Sequence, residues 1–146
     1  MLSESPTLHM LCGKIASGKS TMAAQLGATP GTVLIAEDSW LDALFADELH
    51  SLKDYVRCSS KLQSVMGPHV VALLNAGVSV VLDFPANTVA QRAWMREIIA
   101  STEAAHQLHV FDFFYLVYCF LAHVAHFGLD LDLFGWRFTS TIKIAR

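Results

Sequence analysis

Residues 13–20 read GKIASGKS, a stretch that fits the phosphate-binding pattern G-x-x-x-x-G-K-[ST]. In this pattern Gly13 and Gly18 allow backbone angles and close approaches that a Cβ would forbid, so consecutive N–H groups can point at one anion. Lys19 would reach the β- and γ-phosphates of a nucleotide, and the hydroxyl of Ser20 would bind Mg²⁺. The sequence therefore predicts a loop that wraps nucleotide phosphates. The predicted contact residues are Gly13, Lys14, Ile15, Ala16, Ser17, Gly18, Lys19, Ser20 and Thr21.

The segments on either side of the loop agree with this prediction. Residues 8–12 (LHMLC) carry no charge and suit a buried parallel strand. Residues 21–26 (TMAAQL) are good helix formers, and Gly27 is placed to cap the helix end. A helix that starts near Lys19 would direct the positive end of its dipole at the phosphates. The alternative, a glycine-rich turn with a surface lysine, does not explain why motif and flanks agree.

The chain up to residue 112 alternates between strand-like and helix-like segments. Further strands are predicted at 32–36, at 78–82 and around 109–111. Helices are predicted from Ser39 to about His50, over 55–76 with a break at Gly67-Pro68, and from Thr88 to about Ala100. Strands spaced by helices imply a parallel, doubly wound sheet. We therefore expect an α/β P-loop NTPase fold, with a parallel sheet between helices and an atypical C-terminus.

Acidic residues stand where two of the predicted strands end. Asp83 follows a buried strand and would hold Mg²⁺, although it could instead be a turn residue before Pro85. Asp38 stands where a second substrate would approach the γ-phosphate, and its carboxylate could accept the proton of a hydroxyl. The alternative for Asp38 is helix capping just before Ser39. Glu37 competes for the role, but in an extended chain its side chain should point away from that of Asp38.

Bulk properties restrict the class of protein. A net charge of −3 over 146 residues argues against a nucleic-acid partner, which usually requires a basic excess. Cys12, Cys58 and Cys119 are far apart and odd in number, which is typical of reduced thiols in a cytoplasmic protein. The N-terminus lacks the basic and apolar regions of a secretory signal, so none is expected.

Two other groups of residues are not assigned to a site. The pairs His106/His109 and His123/His126 have spacings found in metal sites, but no third ligand lies close in sequence, so no metal site is predicted there. Three helical arginines could meet phosphate, but exposed helix faces are the commoner position for arginine. These arginines are Arg57, Arg92 and Arg96.

Three segments together resemble the P-loop kinase-like AAA-domain proteins of bacteria. They are GKIASGKST (13–21), VLIAEDSWLDALF (33–45) and VSVVLDFPANT (78–88). The resemblance covers about residues 7–112 and extends to zeta toxins, chloramphenicol phosphotransferase and gluconate- or adenylylsulfate-kinase-like enzymes. Motifs of GTPases and transport ATPases are absent from the sequence.

The resemblance implies binding of ATP and Mg²⁺ and transfer of the γ-phosphate to a small hydroxyl-bearing substrate. Lys19 and Asp38 would be catalytic, and Ser20 with Asp83 would hold the metal ion. The alternative function is a non-catalytic nucleotide-binding or interaction module, because kinases of this group have an arginine-rich lid that this sequence lacks.

Composition changes abruptly after Asp112. Nine of the fifteen aromatic residues fall within 113–146, and residues 113–129 (FFYLVYCFLAHVAHFGL) carry no Asp, Glu, Lys or Arg. We therefore divide the chain into a nucleotide-binding core, 1–112, and an aromatic tail, 113–146. The tail could be a membrane helix, although its apolar run is short for a span. It could also be a buried helix that promotes self-association through 113–129, or non-cognate sequence from a shifted reading frame.

Overall fold

The computed structural model describes residues 5–13 and 17–111, together with the backbone of residues 140–142. The strands are β1 (Thr7–Gly13), β2 (Thr32–Ala36), β3 (Ser79–Asp83), β4 (Ala105–Phe111) and β5 (Ser140–Ile142). The helices are α1 (Lys19–Gly27), α2 (Glu37–Phe45), α3 (Leu52–Asn75) and α4 (Val89–Ala100), and a 3₁₀ turn (Ala46–Glu48) follows α2.

The described strands form one sheet in the order β2-β3-β1-β4-β5. The first four are parallel, as predicted, and β5 pairs with β4 in the antiparallel direction. The α/β P-loop fold expected from the sequence is therefore confirmed. Residues 113–139 and 143–146 lie outside the described residues, and with them most of the tail and its membrane and self-association alternatives, so the division of the chain at residue 112 stays a prediction.

Helices cover both faces of the sheet. Helix α1 packs on one face, where Ala23 joins Leu11, Val81 and Phe111 in a small buried cluster. Helices α3 and α4 pack on the other face over a larger core. That core includes Leu8, Met10, Ile35, Leu41, Cys58, Leu62, Met66, Val70, Leu74, Val80, Leu82, Phe84, Met95 and Ile98. Burial on both faces explains why the strands read as continuous apolar runs and do not alternate.

Helix α3 corrects the predicted break at Gly67-Pro68. The helix runs without interruption from Leu52 to Asn75 and contains Pro68. Proline removes one backbone hydrogen bond inside a helix, but every fourth residue from Cys58 to Leu74 is buried against the sheet. That packing outweighs the local cost. The true start signal is Ser51, whose hydroxyl accepts a hydrogen bond from the Asp54 N–H.

The boundaries of α1 and α2 also differ from the predictions. Gly27 is the last residue of α1 and not its cap; a Cβ there would lie 2.8 Å from the Leu34 Cβ, so glycine permits the helix to approach β2 closely. Helix α2 begins at Glu37, two residues before the predicted Ser39. By contrast, the predicted capping box of Thr88 and Gln91 is present at the start of α4.

Candidate active site

The carboxyl ends of β1, β2 and β3 open into one cavity of about 450 Å³. Its position follows from the strand register, which places Ala36 beside Asp83, so that α2 starts next to the end of β3. Ligands of open α/β sheets bind at this edge. The lining residues are Gly13, Lys19, Ser20, Glu37, Asp38, Tyr55, Asp83, Phe84, Pro85, Asn87 and Gln91.

The two glycines of the phosphate loop are required for different reasons. A Cβ on Gly13 would lie 2.6 Å from the Phe111 carbonyl oxygen, so this position needs the smallest residue. Gly18 caps α1 with φ 91°, a left-handed conformation that L side chains rarely adopt, and faces open space. The buried Ser17 hydroxyl has no hydrogen-bond partner among the described residues. The residues at the two ends of the loop thus have the backbone freedom and the unpartnered hydroxyl that a phosphate-binding loop requires.

The other predicted contact residues of the loop differ in their position relative to the cavity. Lys19 lies at the cavity, where its Nζ donates a hydrogen bond of 2.9 Å to the Gly13 carbonyl. Ser20 also lines the cavity, whereas Thr21 does not. Residues 14–16, predicted as Lys14, Ile15 and Ala16 contacts, lie outside the described residues.

Ser20 and Asp83 meet at the base of the cavity. The side chain of Ser20 hydrogen-bonds the Asp83 carboxylate, and Lys19 and Asp38 are close enough to act on its charge. Burial raises the pKa of Asp83, Ser20 and Lys19 oppose this rise, and the like charge of Asp38 adds to it. A hydroxyl and a half-buried carboxylate beside the phosphate-loop lysine are oxygen donors of the kind Mg²⁺ prefers. The residues present therefore fit the predicted metal ion.

Glu37 and Asp38 lie in contrasting environments. Glu37 is only 1% exposed, and both of its carboxylate oxygens accept hydrogen bonds, at 2.7 Å from the Tyr55 hydroxyl and at 2.6 Å from the Ser59 hydroxyl. Asp38 is exposed and lines the cavity. It does not cap α2, because the helix begins at Glu37 and Ala36 is the capping residue, without a side-chain bond. The geometry leaves the Asp38 carboxylate available to a bound molecule.

Tyr55, Ser59 and Gln91 were missed as site residues by the sequence reasoning. The hydroxyls of Tyr55 and Ser59 are one helical turn apart on α3 and reach back to Glu37. Burial raises the pKa of Tyr55, and its hydrogen bond to Glu37 raises it further, so the phenol remains a donor. The signal in the sequence was the spacing of four residues between Tyr55 and Ser59, which places both hydroxyls on the same side of a helix.

Asn87, a polar residue after β3, links the loop to α4. Its Oδ1 accepts a hydrogen bond of 3.3 Å from the Gly13 N–H, and its own N–H donates to the Gln91 Oε1 at 3.0 Å. The start of α4 is thereby fixed to the first residue of the phosphate loop.

The arginines and histidines of the described residues lie outside the cavity. Arg57 pairs with Glu48 at 2.8 Å on an exposed surface, and no arginine lines the cavity within the described part of the chain. His106 and His109 lie on opposite faces of β4, since their spacing is odd. His109 instead contacts His9, with 3.2 Å between Nε2 and Nδ1. Residues 5–13 and 17–111 contain no group of three metal-ligating side chains, and His123/His126 lie outside them.

Arg92 and Arg96 on α4 are exposed, as predicted. Arg92 donates a hydrogen bond of 2.9 Å to the Ala86 carbonyl, just outside the cavity. In the part of the chain that the structure describes, no helix is both long and apolar enough to cross a membrane.

Comparison with known proteins agrees with this geometry. The AAA domain family profile matches residues 8–113. No curated protein matches the sequence. Two solved structures share the fold: a candidate kinase from Chloroflexus aurantiacus J-10-fl and the Pnkp1/Rnl/Hen1 complex.

The alignments with these structures extend over most of this chain. With the Chloroflexus protein the TM-score is 0.61 at 17% identity, covering 87% of this chain and 71% of that one. With the Pnkp1/Rnl/Hen1 complex it is 0.55 at 22% identity, covering 96% of this chain. This chain spans 46% of the length of the matched chain in that complex. The family match over residues 8–113 shows that the chain belongs to the AAA domain family, and the solved structures show that it shares their fold.

Proposed function

We propose that the protein binds Mg·ATP and transfers the γ-phosphoryl group to the hydroxyl of a small molecule. One observation carries the proposal: Lys19, Ser20, Asp83 and Asp38 all line a single cavity at the carboxyl edge of the sheet. The first three residues form a site for phosphate and a metal ion. Asp38 adds a carboxylate that is not needed to bind either the phosphates or the metal ion. A structurally similar candidate kinase supports the proposal.

The residues act in the following way under this proposal. Lys19 turns from the Gly13 carbonyl to the β- and γ-phosphate oxygens and stabilises the charge that develops there. Ser20 and Asp83 would hold Mg²⁺, which would supply positive charge to offset that of the phosphates. Asp38 orients the acceptor hydroxyl and accepts its proton. The acceptor oxygen forms a bond to the γ-phosphorus, the bond from that phosphorus to the bridging oxygen breaks, and ADP leaves.

The proposal assigns this activity to residues 1–112 and leaves the role of the tail open. A cytoplasmic location also stays a prediction. The test is single-turnover transfer of labelled γ-phosphate from Mg·ATP to a panel of hydroxyl-bearing metabolites. We expect a labelled product that depends on both Lys19 and Asp38. Labelled product that is unchanged in the Lys19→Ala variant would contradict the assignment.

A second candidate is a nucleotide-binding module without catalysis. It is favoured by the lack of arginine among the described cavity residues, because an arginine that contacts the transferring group can be worth about 10³–10⁵ in rate. This candidate predicts tight Mg·ATP binding, measured by calorimetry, without labelled product for any acceptor.

A further inference from the structure

We propose that the acceptor part of the cavity selects neutral or positively charged hydroxyl compounds and rejects those that carry a carboxylate or phosphate. This inference rests on the proposed function, because it names the acceptor class of the same site. We define the acceptor half as the cavity residues that α2, α3 and the segment 84–91 contribute.

The charges of the acceptor half are all negative among the described residues. Glu37 and Asp38 belong to it, and Lys19 is the only lysine or arginine that lines the described cavity. In a complex with Mg·ATP, Lys19 is committed to the phosphates and Asp83 to the metal ion. The exposed carboxylate of Asp38 and the buried carboxylate of Glu37 then act on the acceptor without a described cation to balance them.

Glu37 cannot turn its charge away from the cavity. Its two oxygens are held by the Tyr55 and Ser59 hydroxyls, and Gln63 Nε2 donates a further hydrogen bond of 3.3 Å to the Ser59 hydroxyl. The carboxylate is buried, so salt screens it less than an exposed one. An anionic acceptor therefore meets a fixed charge of the same sign.

The helix starts at the acceptor half do not provide an anion site either. At α4 three of the backbone donors around the helix start are already used: the Asn87 and Thr88 N–H groups bind the Gln91 Oε1, and the Gln91 N–H binds the Thr88 hydroxyl. At α2 the first turn carries Glu37 and Asp38, whose negative charges offset the positive end of the helix dipole.

The remaining lining groups suit uncharged polar molecules. The side-chain oxygens of Asn87 and Gln91 accept backbone hydrogen bonds, and their NH₂ groups can donate to hydroxyl or ether oxygens. Phe84, Pro85 and the Tyr55 ring add apolar surface. A neutral polyol, an amino sugar or an aromatic alcohol matches this combination of groups.

The test compares small hydroxyl-bearing acceptors that carry a positive, a neutral or a negative group. Ethanolamine, ethylene glycol and glycolate form one matched series, and glucosamine, glucose and glucose 6-phosphate form a second. Transfer of labelled γ-phosphate is measured at constant ionic strength, and a 5′-hydroxyl oligonucleotide is included. A like charge a few ångströms away should reduce transfer to the anionic members by about tenfold or more. Equal or faster transfer to the anionic members, or to the oligonucleotide, would overturn the proposal.

Two charge variants and one neutral control test the source of the selectivity. Gln91→Lys adds a cation to the acceptor half and should move the preference toward glycolate and glucose 6-phosphate by about fivefold or more. Gln91→Met is the matched neutral control and should leave the order unchanged. Glu37→Gln removes one fixed charge at nearly the same shape and should reduce the discrimination. Unchanged discrimination in both charge variants would show that the carboxylates do not set it.

Failure of the proposed function can be separated from failure of this inference. If Mg·ATP binds but no compound is phosphorylated, transfer is absent, and binding of the same two series is compared by ligand-observed NMR in the presence of a non-hydrolysable ATP analogue. The inference is supported if the ammonium compounds bind most tightly, the neutral compounds less tightly and the anions least tightly. The reverse order, or no binding by any compound, overturns it.

Discussion

The two halves of the cavity are built from different kinds of sequence information. The phosphate half uses Gly13, Lys19 and Ser20, which lie within eight residues of each other, and needs only Asp83 from elsewhere. In the acceptor half, Glu37 is fixed by hydroxyls 18 and 22 residues away on a different helix. A local motif can be recognised by its spacing, whereas a pairing between two helices exists only after they have packed together.

The largest effect is expected when the lysine of the phosphate half is removed. Lys19→Ala should weaken Mg·ATP binding by about tenfold to a hundredfold and slow transfer by about a hundredfold to a thousandfold, because hydrogen bonds from a charged donor to the phosphates are lost. Calorimetry and single-turnover kinetics measure the two effects. Lys53→Ala, an exposed lysine of α3, is the matched control. If both variants bound Mg·ATP equally well, Lys19 would not belong to a phosphate site.

A change in the acceptor half should separate catalysis from binding. Asp38→Asn should reduce transfer by about a hundredfold or more, because the proton acceptor is lost, and should leave the Kd for Mg·ATP nearly unchanged. Glu37→Gln is the comparison, since Glu37 is buried and hydrogen-bonded on both oxygens. Full transfer by Asp38→Asn together with lost transfer by Glu37→Gln would reverse the roles of the two acids.

The next effect concerns Asp83, the acid of the phosphate half. Asp83→Asn should raise the Mg²⁺ concentration required for half-maximal activity by about tenfold, comparable to the loss of one charged contact. A titration of Mg²⁺ at saturating ATP measures this value. An unchanged Mg²⁺ requirement would make Asp83 a turn residue, the alternative that its position before Pro85 allows.

Two adjacent serines test how the acceptor half contributes to stability. Ser59→Ala leaves the buried Glu37 Oε1 without its donor and should lower the free energy of unfolding by about 1–3 kcal/mol. Ser60→Ala removes a hydroxyl that only bonds the Val56 carbonyl on an exposed surface, so its effect should stay within about 0.5 kcal/mol. Urea denaturation measures both. Equal effects would show that Glu37 does not depend on Ser59.

The smallest effect involves the sheet that supports both halves. Burial lowers the pKa of His9 and of His109 below the usual 6.5, and His109 lowers that of His9 further. The unfolded chain therefore binds more protons below about pH 6.5, and the free energy of unfolding should fall as the pH drops from about 7.5 to 5.5. The limit is about 1.4 kcal/mol per histidine and pH unit.

Denaturation at several pH values measures this slope. His9→Gln should make it shallower, whereas His69→Gln, which changes an exposed histidine of α3, should not. An identical slope in the His9→Gln variant would contradict the assignment. Neither variant should alter the order of acceptors, because both histidines lie outside the cavity.

Much of the fold was predictable because its signals are local. The strand from Thr32 to Ala36 and the capping box of Thr88 and Gln91 lie where the sequence placed them. Helix α3 was predicted with a break because a proline is locally unfavourable. The energy that keeps this helix continuous comes from burial of one face against the sheet, which a short window of sequence does not contain.

In the site, the residues of the phosphate half could be recognised from the sequence, because the glycines, the lysine and the serine all belong to one continuous segment, residues 13–20. The sequence also placed two acids after β2. Which of them is buried and which is exposed at the cavity depends on tertiary packing. The reason is that α2 begins directly at Glu37, and the rotation of that helix points one carboxylate at Tyr55 and Ser59 and leaves Asp38 at the cavity.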